Sequence, residues 1–383
     1  MDFKLNQEQQ AIQKAARDFA KGEFDKEIAL EHERAHTFPE KIWKKACNLN
    51  FVGLHFPEKY NGQEYGVFEN ALIVEEFCRR DSGIGIAISI VDFASEIILR
   101  GGTEEQKEKY LIPITKGKAI SCGAFTEPDH GSDITLMNTT AVKEGDSYVI
   151  NGVKTFITNG MVGDFVIVLC QTDREANPTY RGQSLIIVDK GTPGFTARDI
   201  GEKMGIKMTS TAELSFNDVR VPASNLVGQE NKGFYQALEF FDESRIEIAA
   251  QALGIAQGAF DRAVAYCKER TQFNKKIAEF QVTKHKLADM ATKIETARLL
   301  VYKAAWNFDQ GNIDPKLTSM AKFYAARVAV EVAEEAIQLF GGYGYMLEYE
   351  VERFYRDARI TEIYEGTKEI QKNTIASSLL GKF

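Results

Sequence analysis

Tyr148-Val149-Ile150-Asn151-Gly152-Val153-Lys154-Thr155-Phe156-Ile157 decides how the chain divides. Two β-branched runs flank Asn-Gly, a pair that accepts the positive φ of a tight turn, so the stretch predicts a β-hairpin. Strand signals continue beyond it. Phe165-Val166-Ile167-Val168-Leu169 is a continuous apolar run, as in a strand covered on both faces. Ser184-Leu185-Ile186-Ile187-Val188 and Glu213-Leu214-Ser215-Phe216 follow. Half of the eight prolines (Pro128, Pro178, Pro193, Pro222) fall between 121 and 225, between these runs. A β domain over residues 121–228, of common domain size, is expected.

Outward from it on both sides the rhythm is helical. Ile12, Ala15, Ala16 and Phe19 recur at helical spacing, as do Ile42, Ala46 and Leu49. Asn70 to Cys78 and Ala87 to Leu99 are more apolar and read as buried helices. Thr103 can cap a helix, with Gln106 three residues on. Past residue 230, Ala249, Leu253, Ala256, Phe260, Val264 and Cys267 keep the rhythm. So do Leu287, Met290, Ile294, Ala297, Val301, Ala304 and Phe308, where Gly311 ends the helix. Pro315 opens another with Tyr324, Val328, Val332 and Leu339 on one face, stopped by Gly341-Gly342. The fold expected is α+β and multidomain: an N-terminal α-helical domain (1–120), a middle β-barrel or sandwich (121–228) and a C-terminal four-helix bundle (229–383).

Composition removes several function classes. The 47 basic and 55 acidic residues leave a net charge of −8, against nucleic acid, which needs a concentrated basic surface. No apolar run approaches the ~20 residues of a membrane span. Met1-Asp2-Phe3-Lys4-Leu5-Asn6 has an acid where a signal or transit peptide would not. Cys47, Cys78, Cys122, Cys170 and Cys267 lie far apart, and the five histidines form no HExxH, so no metal site is expected. A reducing, bacterial or archaeal cytoplasm fits.

Four segments are unusual by local physics. Ala124 to Asp133 (AFTEPDHGSD) is rich in turn formers and hydroxyls, and its Gly131-Ser132 pair exposes N–H groups; a linker explains it equally. Phe156-Ile157-Thr158-Asn159-Gly160 sets an aromatic and a hydroxyl at a strand end, as a hairpin edge does. Gln338-Leu339-Phe340-Gly341-Gly342-Tyr343-Gly344-Tyr345 holds more glycine than a helix stop needs. Ile363 to Gln371 places Glu365 between Tyr364 and Gly366 at a helix start, where a surface glutamate is also common.

Together these segments resemble the acyl-CoA dehydrogenase family, over the whole chain and in order. The run from Gln338 through Gly341, Gly342, Gly344, Glu348 and Arg353 to Asp357 matches the C-terminal signature of that family. MGIKMTST (Met204 to Thr211), FDESR (Phe241 to Arg245) and RTQFNKKIAEFQ (Arg270 to Gln281) complete the set. The resemblance implies FAD between the β domain and the bundle. It places Phe125, Thr126, Gly131 and Ser132 along the flavin and the start of the CoA arm. Phe156 stands where the family often has tryptophan, with Ile157 beside it and Thr158 bonding the ring. Arg270, Phe273, Gln281 and Gln338, Leu339, Phe340, Gly341 and Gly342 would serve the dinucleotide of a neighbouring subunit. Thr367 and Glu369 would hold the adenine end. A homodimer or homotetramer follows.

Ser132, Asp242, Arg245, Tyr364 and Gly366 match the family's substrate contacts. Glu365 would take the α proton of an acyl-CoA, the β carbon would give hydride to the flavin, and an electron-transfer flavoprotein would accept the electrons. Some relatives place the base just before the bundle arginine; here Ser244 stands there and cannot serve.

The chain departs from the family at His130, Phe125, Leu136 and Asp92. His130 is read as reshaping the CoA entrance or as a plain loop residue. Asp92 lies in a stretch that in the family lines the acyl pocket. It is read as facing a polar contact, as meeting a polar acyl group, or as a second base for a ring carbon. From it a short-chain or alicyclic acyl group, such as a cyclohexanecarboxyl or cyclohexenecarboxyl thioester, is expected. The competing activities are an enoyl-CoA reductase, an acyl-CoA oxidase on the same fold, and a helical acyl-CoA-binding scaffold without catalysis.

Overall fold

Seven helices open the chain: α1 (Gln7–Glu23), α2 (Lys26–Ala35), α3 (Glu40–Asn48), α4 (Val67–Arg80), α5 (Ser82–Ser89), α6 (Ser95–Gly101) and α7 (Glu104–Thr115). The computed structural model describes residues 4–381, so Met1, Asp2 and Phe3 of the leader argument lie outside the described residues. Reciprocal side-chain and backbone bonds start α1 at Asn6 with Gln9, and α7 at Thr103 with Gln106. The expected single helix over Ala87 to Leu99 is two helices. The chain leaves α5 at Ser89 and turns through Ala94, whose φ is 71°. Val91 and Phe93 present their carbonyls to the backbone N–H and the hydroxyl of Ser121. Backbone acceptors that a helix would use internally are thus spent on the edge of the β domain. Asp92 therefore stands in a turn.

The middle part is a seven-stranded sheet of β1 (Ser121–Ala124), β2 (Thr140–Glu144), β3 (Ser147–Thr158), β4 (Phe165–Gln171), β5 (Gln183–Asp189), β6 (Phe195–Asp199) and β7 (Thr211–Pro222). The order is β1-β4-β2-β3-β7-β6, and β5 pairs with β4. Every residue of β4 is buried, as its apolar run requires. The hairpin expected at Asn151-Gly152 is corrected. The turn lies at Gly145-Asp146, where Glu144 pairs with Ser147, and β3 runs straight through Asn151-Gly152. The pair makes a bulge instead: the register against β7 slips between Ile150 and Gly152. Asn151 exchanges hydrogen bonds of 3.0 and 2.8 Å with Asp218. A Cβ at Gly152 would stand 2.6 Å from the Thr139 Cα, so the glycine serves close approach.

The last part holds α8 (Gly233–Glu269), a small hairpin of β8 (Thr271–Gln272) and β9 (Lys275–Lys276), α9 (Gln281–Asp309), α10 (Pro315–Phe340), α11 (Val351–Thr361) and α12 (Lys368–Leu380). Its core is shared. Val67, Phe68, Ala71, Leu72, Val74 and Cys78 of α4 pack into one cluster with α8, α9 and α10. Buried Arg353 meets Asp81 at 2.5 Å, and Asp357 accepts from the Ser82 hydroxyl and the Ile206 N–H at 2.6 Å. Those bonds fix α11 against the N-terminal helices and the β domain. All five cysteines are buried and free. Among the described residues no helix is long and apolar enough to cross a membrane.

Candidate active site

Between α11 and α12 the backbone makes a turn that ordinary residues avoid. Glu365 has φ 53° and Gly366 has φ 88°. Side chains from two helices hold it. Gln371 Nε2 of α12 donates to the carbonyls of Glu365 and Gly366 at 3.0 and 2.9 Å, and Lys322 Nζ of α10 donates to the Gly366 carbonyl at 2.7 Å. The Glu365 carboxylate accepts the Ser244 hydroxyl of α8 at 2.6 Å. Burial pushes the Glu365 pKa up; the Ser244 bond, Lys322 and Arg245 oppose that without cancelling it. Beside it, the Tyr364 hydroxyl donates to Gln251 Oε1 at 2.6 Å.

Glu365 faces a cavity of about 700 Å³ between the β domain and the bundle. Tyr364, Gly366 and Thr367 line it on the bundle side; Phe125, Thr126, Gly131, Ser132, Phe156, Ile157 and Thr158 line it on the β side. A second bulge, between Lys154 and Ile157, aims Phe156 into the opening. Its φ is 57° and the residue is 66% exposed, a costly state for an aromatic without a stacking partner. A Cβ at Gly131 would meet only Thr126 Cγ2, at 4.0 Å, so backbone N–H groups are open there. A flat ring edged by acceptors fits these residues: Phe156 for a face, and Thr126 and Thr158 for the edges.

The β-side wall rests on a fully buried ion pair. Lys154 Nζ meets Glu127 Oε1 at 2.9 Å and the Phe125 carbonyl at 3.1 Å. Glu127 also accepts the N–H groups of Asn138 and Thr139 at 2.7 and 2.9 Å. The AFTEPDHGSD segment is therefore an anchored wall. Lys154 and Glu127 were missed from sequence; a lysine on the inward face of an apolar strand was the available signal. Lys322 was missed likewise, a lysine within the buried stripe of Leu317, Thr318, Ala321 and Ala325.

Other predicted residues lie apart. Asp242 pairs with Arg245 at 3.1 Å inside α8. Glu369 is exposed in the first turn of α12. Arg270, Phe273, Gln281, Gln338, Leu339, Phe340, Gly341 and Gly342 gather at the end of the bundle, and none lines the cavity. Phe273 is 88% exposed at the hairpin tip, Gly341 and Gly342 have open space around them, and Arg270 lies over the Tyr343 ring. Asp92 also lies off the cavity lining. It is buried with His55 and Glu96, one ligating atom of each lying within 4.8 Å of the others. Burial first, then Glu96, lifts its pKa to about 7, against His55 and the N–H of Gly53.

The chain matches the acyl-CoA dehydrogenase N-terminal domain over residues 6–118, the middle domain over 122–219 and the C-terminal domain over 231–380. It is 44% identical to a short-chain specific acyl-CoA dehydrogenase of Clostridium acetobutylicum, covering 99% of this chain and 100% of that one. It is 44% identical to an acryloyl-CoA reductase (NADH) of Anaerotignum propionicum, covering 99% and 96%. A solved chain from work on the electron transferring flavoprotein of Acidaminococcus fermentans superposes with TM-score 0.96 at 44% identity, covering 100% of both chains. Three matched domains in order, and identity sustained over whole chains, place this protein in the acyl-CoA dehydrogenase family of oxidoreductases.

Proposed function

We propose that the protein is an FAD-dependent dehydrogenase of short-chain acyl-CoA thioesters with Glu365 as its base. One observation carries this: a half-buried carboxylate with a raised pKa, held by Ser244, faces a cavity whose other wall offers Phe156, Thr126 and Thr158. FAD, when bound, supplies the hydride acceptor, and the exposed Phe156 with its flanking hydroxyls suits the flavin ring. The α C–H of a thioester is weakly acidic. Glu365 takes that proton at a carboxylate oxygen, and its burial tunes it toward working pH. The Glu365 N–H, which meets no acceptor among the described residues, suits the thioester oxygen, where charge develops. The Asp242–Arg245 pair of α8, one residue from Ser244, is read as the contact for the CoA arm. The short-chain assignment is supported by the Clostridium relative.

Run backwards, the same carboxyl group would return its proton, so reduction of an enoyl thioester uses the same residues; the Anaerotignum relative, a reductase by name, supports that direction. The Acidaminococcus chain supports an electron-transferring flavoprotein as partner. The open Arg270–Gly342 cluster, with Phe273 standing free, supports a neighbouring copy whose FAD it completes, hence a dimer or a dimer of dimers.

The alicyclic expectation rests on Asp92 as a second base. Asp92 lies off the cavity lining, against His55 and Glu96, so it does not reach a thioester held before Glu365, and the alicyclic reading is not carried forward. One experiment tests the short-chain reading. The holoenzyme is mixed anaerobically with butyryl-, octanoyl-, isobutyryl-, glutaryl-, cyclohexanecarboxyl- and cyclohexenecarboxyl-CoA while the flavin absorbance is followed. Bleaching by butyryl-CoA supports the short-chain reading, and bleaching by the cyclic thioesters alone overturns it. An enzyme that binds FAD yet bleaches with none of them overturns the dehydrogenase reading itself.

A further inference from the structure

We propose that Lys322 is a positioning residue for the reaction: its buried ammonium anchors the turn that carries Glu365 and supplies the positive charge that keeps that carboxylate ionised. The inference rests on Glu365 being the base.

Lys322 is fully buried on α10, among Leu317, Ala321 and Ala325. An ammonium has three donors and is costly to bury without partners. Among the described residues its hydrogen-bond acceptor is the Gly366 carbonyl at 2.7 Å. Gln371 Nε2 reaches the same carbonyl from α12 and the Glu365 carbonyl beside it. Two helices thus grip a turn whose two residues both have positive φ, and that grip offsets the strain of Glu365 at φ 53°.

The charges around the pair can be named element by element. From α8 come Arg245 and Glu247, from α6 Glu96, and from just past α11 Glu362. Glu96 disfavours the Glu365 carboxylate, Glu365 likewise raises the pKa of Glu247, and Lys322 and Arg245 favour the Glu365 carboxylate. Arg245 is already paired to Asp242 at 3.1 Å, which leaves Lys322 as the cation without a carboxylate bond of its own. Burial lowers the Lys322 pKa to about 7, and Glu365 is the largest influence holding it up. The dependence is mutual: each charge stabilises the other.

The test uses holoenzyme and the thioester that bleaches the wild-type flavin fastest. The bleaching rate constant is measured by rapid mixing from pH 5 to pH 9 for wild type, Lys322→Met, Lys322→Gln and Lys322→Arg. Lys322→Gln keeps a donor for the Gly366 carbonyl and loses the charge. The expected result is an acid limb moved to higher pH by about one unit in Lys322→Met and Lys322→Gln, with KM within about twofold, and a limb restored toward wild type in Lys322→Arg. If Lys322→Met does not fold, Lys322→Gln gives the same reading. An acid limb left in place in the neutral variants, whatever the fall in rate, overturns the proposal. Glu365→Gln is the control: if it still bleaches at the wild-type rate, the base assignment itself fails. If it is inactive while the limb of the Lys322 variants does not move, only the role of Lys322 fails.

Discussion

Two carboxyl groups stand in two different turns, Glu365 between α11 and α12 and Asp92 between α5 and α6, and the protein treats them differently. Around Glu365 the turn between α11 and α12 gathers partners that favour charge: the Ser244 hydroxyl, Lys322 and Arg245. Around Asp92 the turn between α5 and α6 gathers a second carboxylate, Glu96, with one histidine and two backbone N–H groups, its own and that of Gly53, in opposition. The first site faces a cavity of about 700 Å³; the second is closed against His55. Burial raises the pKa of both. The lesson is that burial alone does not make a base: access to substrate and a preorganised partner for the charged form separate a working carboxylate from a stored proton.

Substitution separates the two carboxyl sites most visibly. Glu365→Gln is expected to lower anaerobic flavin bleaching by butyryl-CoA about 10²–10⁴-fold, with FAD still bound, whereas Asp92→Asn should change it by less than about twofold. Equal losses in both would place the two carboxyls in one reaction. A third carboxylate sharpens the contrast. Glu127 is charged because Lys154 and two N–H groups satisfy it, so Lys154→Met should cost about 3–5 kcal/mol of stability, read as a lower melting temperature and weaker flavin retention. Removing a smaller support moves a pKa only. Ser244→Ala takes away a hydrogen bond to the charged form, so the Glu365 pKa rises further. The acid limb of the bleaching rate should then shift up by about one pH unit.

The smallest effect concerns stability. The Asp92 pKa is about 7 when folded against an ordinary 3.8. The folded state therefore holds the proton more tightly, and wild-type stability falls as pH rises between those values. Asp92→Asn removes that loss. Its melting temperature should exceed wild type by ~2–4 °C more at pH 8 than at pH 5, measured by thermal unfolding.

Much of this architecture was legible because periodicity and caps act locally. The Thr103 start, the Pro315 start and the buried β4 all follow from residues within one turn or one strand of themselves. The misreadings came where distant partners override local preference. Asn151-Gly152 carries a turn signal, yet the ladder between β3 and β7 and the closeness of Thr139 make it a bulge. Ala87 to Leu99 has the composition of one helix, but Ser121 draws two of its carbonyls away. At the site, Glu365 and the Phe156 and Thr126 walls could be named from motifs. Lys322, Gln371 and Lys154 could not, because their roles depend on which carbonyls and carboxylates the fold brings to them.

The proposed first step is removal of the α proton by Glu365. It is tested most directly by incubating holoenzyme with butyryl-CoA in D₂O under anaerobic conditions and following deuterium at the α carbon by NMR. Wild type is predicted to exchange the α proton, and Glu365→Gln with FAD bound is predicted to exchange it no faster than solvent. Exchange by Glu365→Gln at the wild-type rate would contradict the account and assign the base elsewhere.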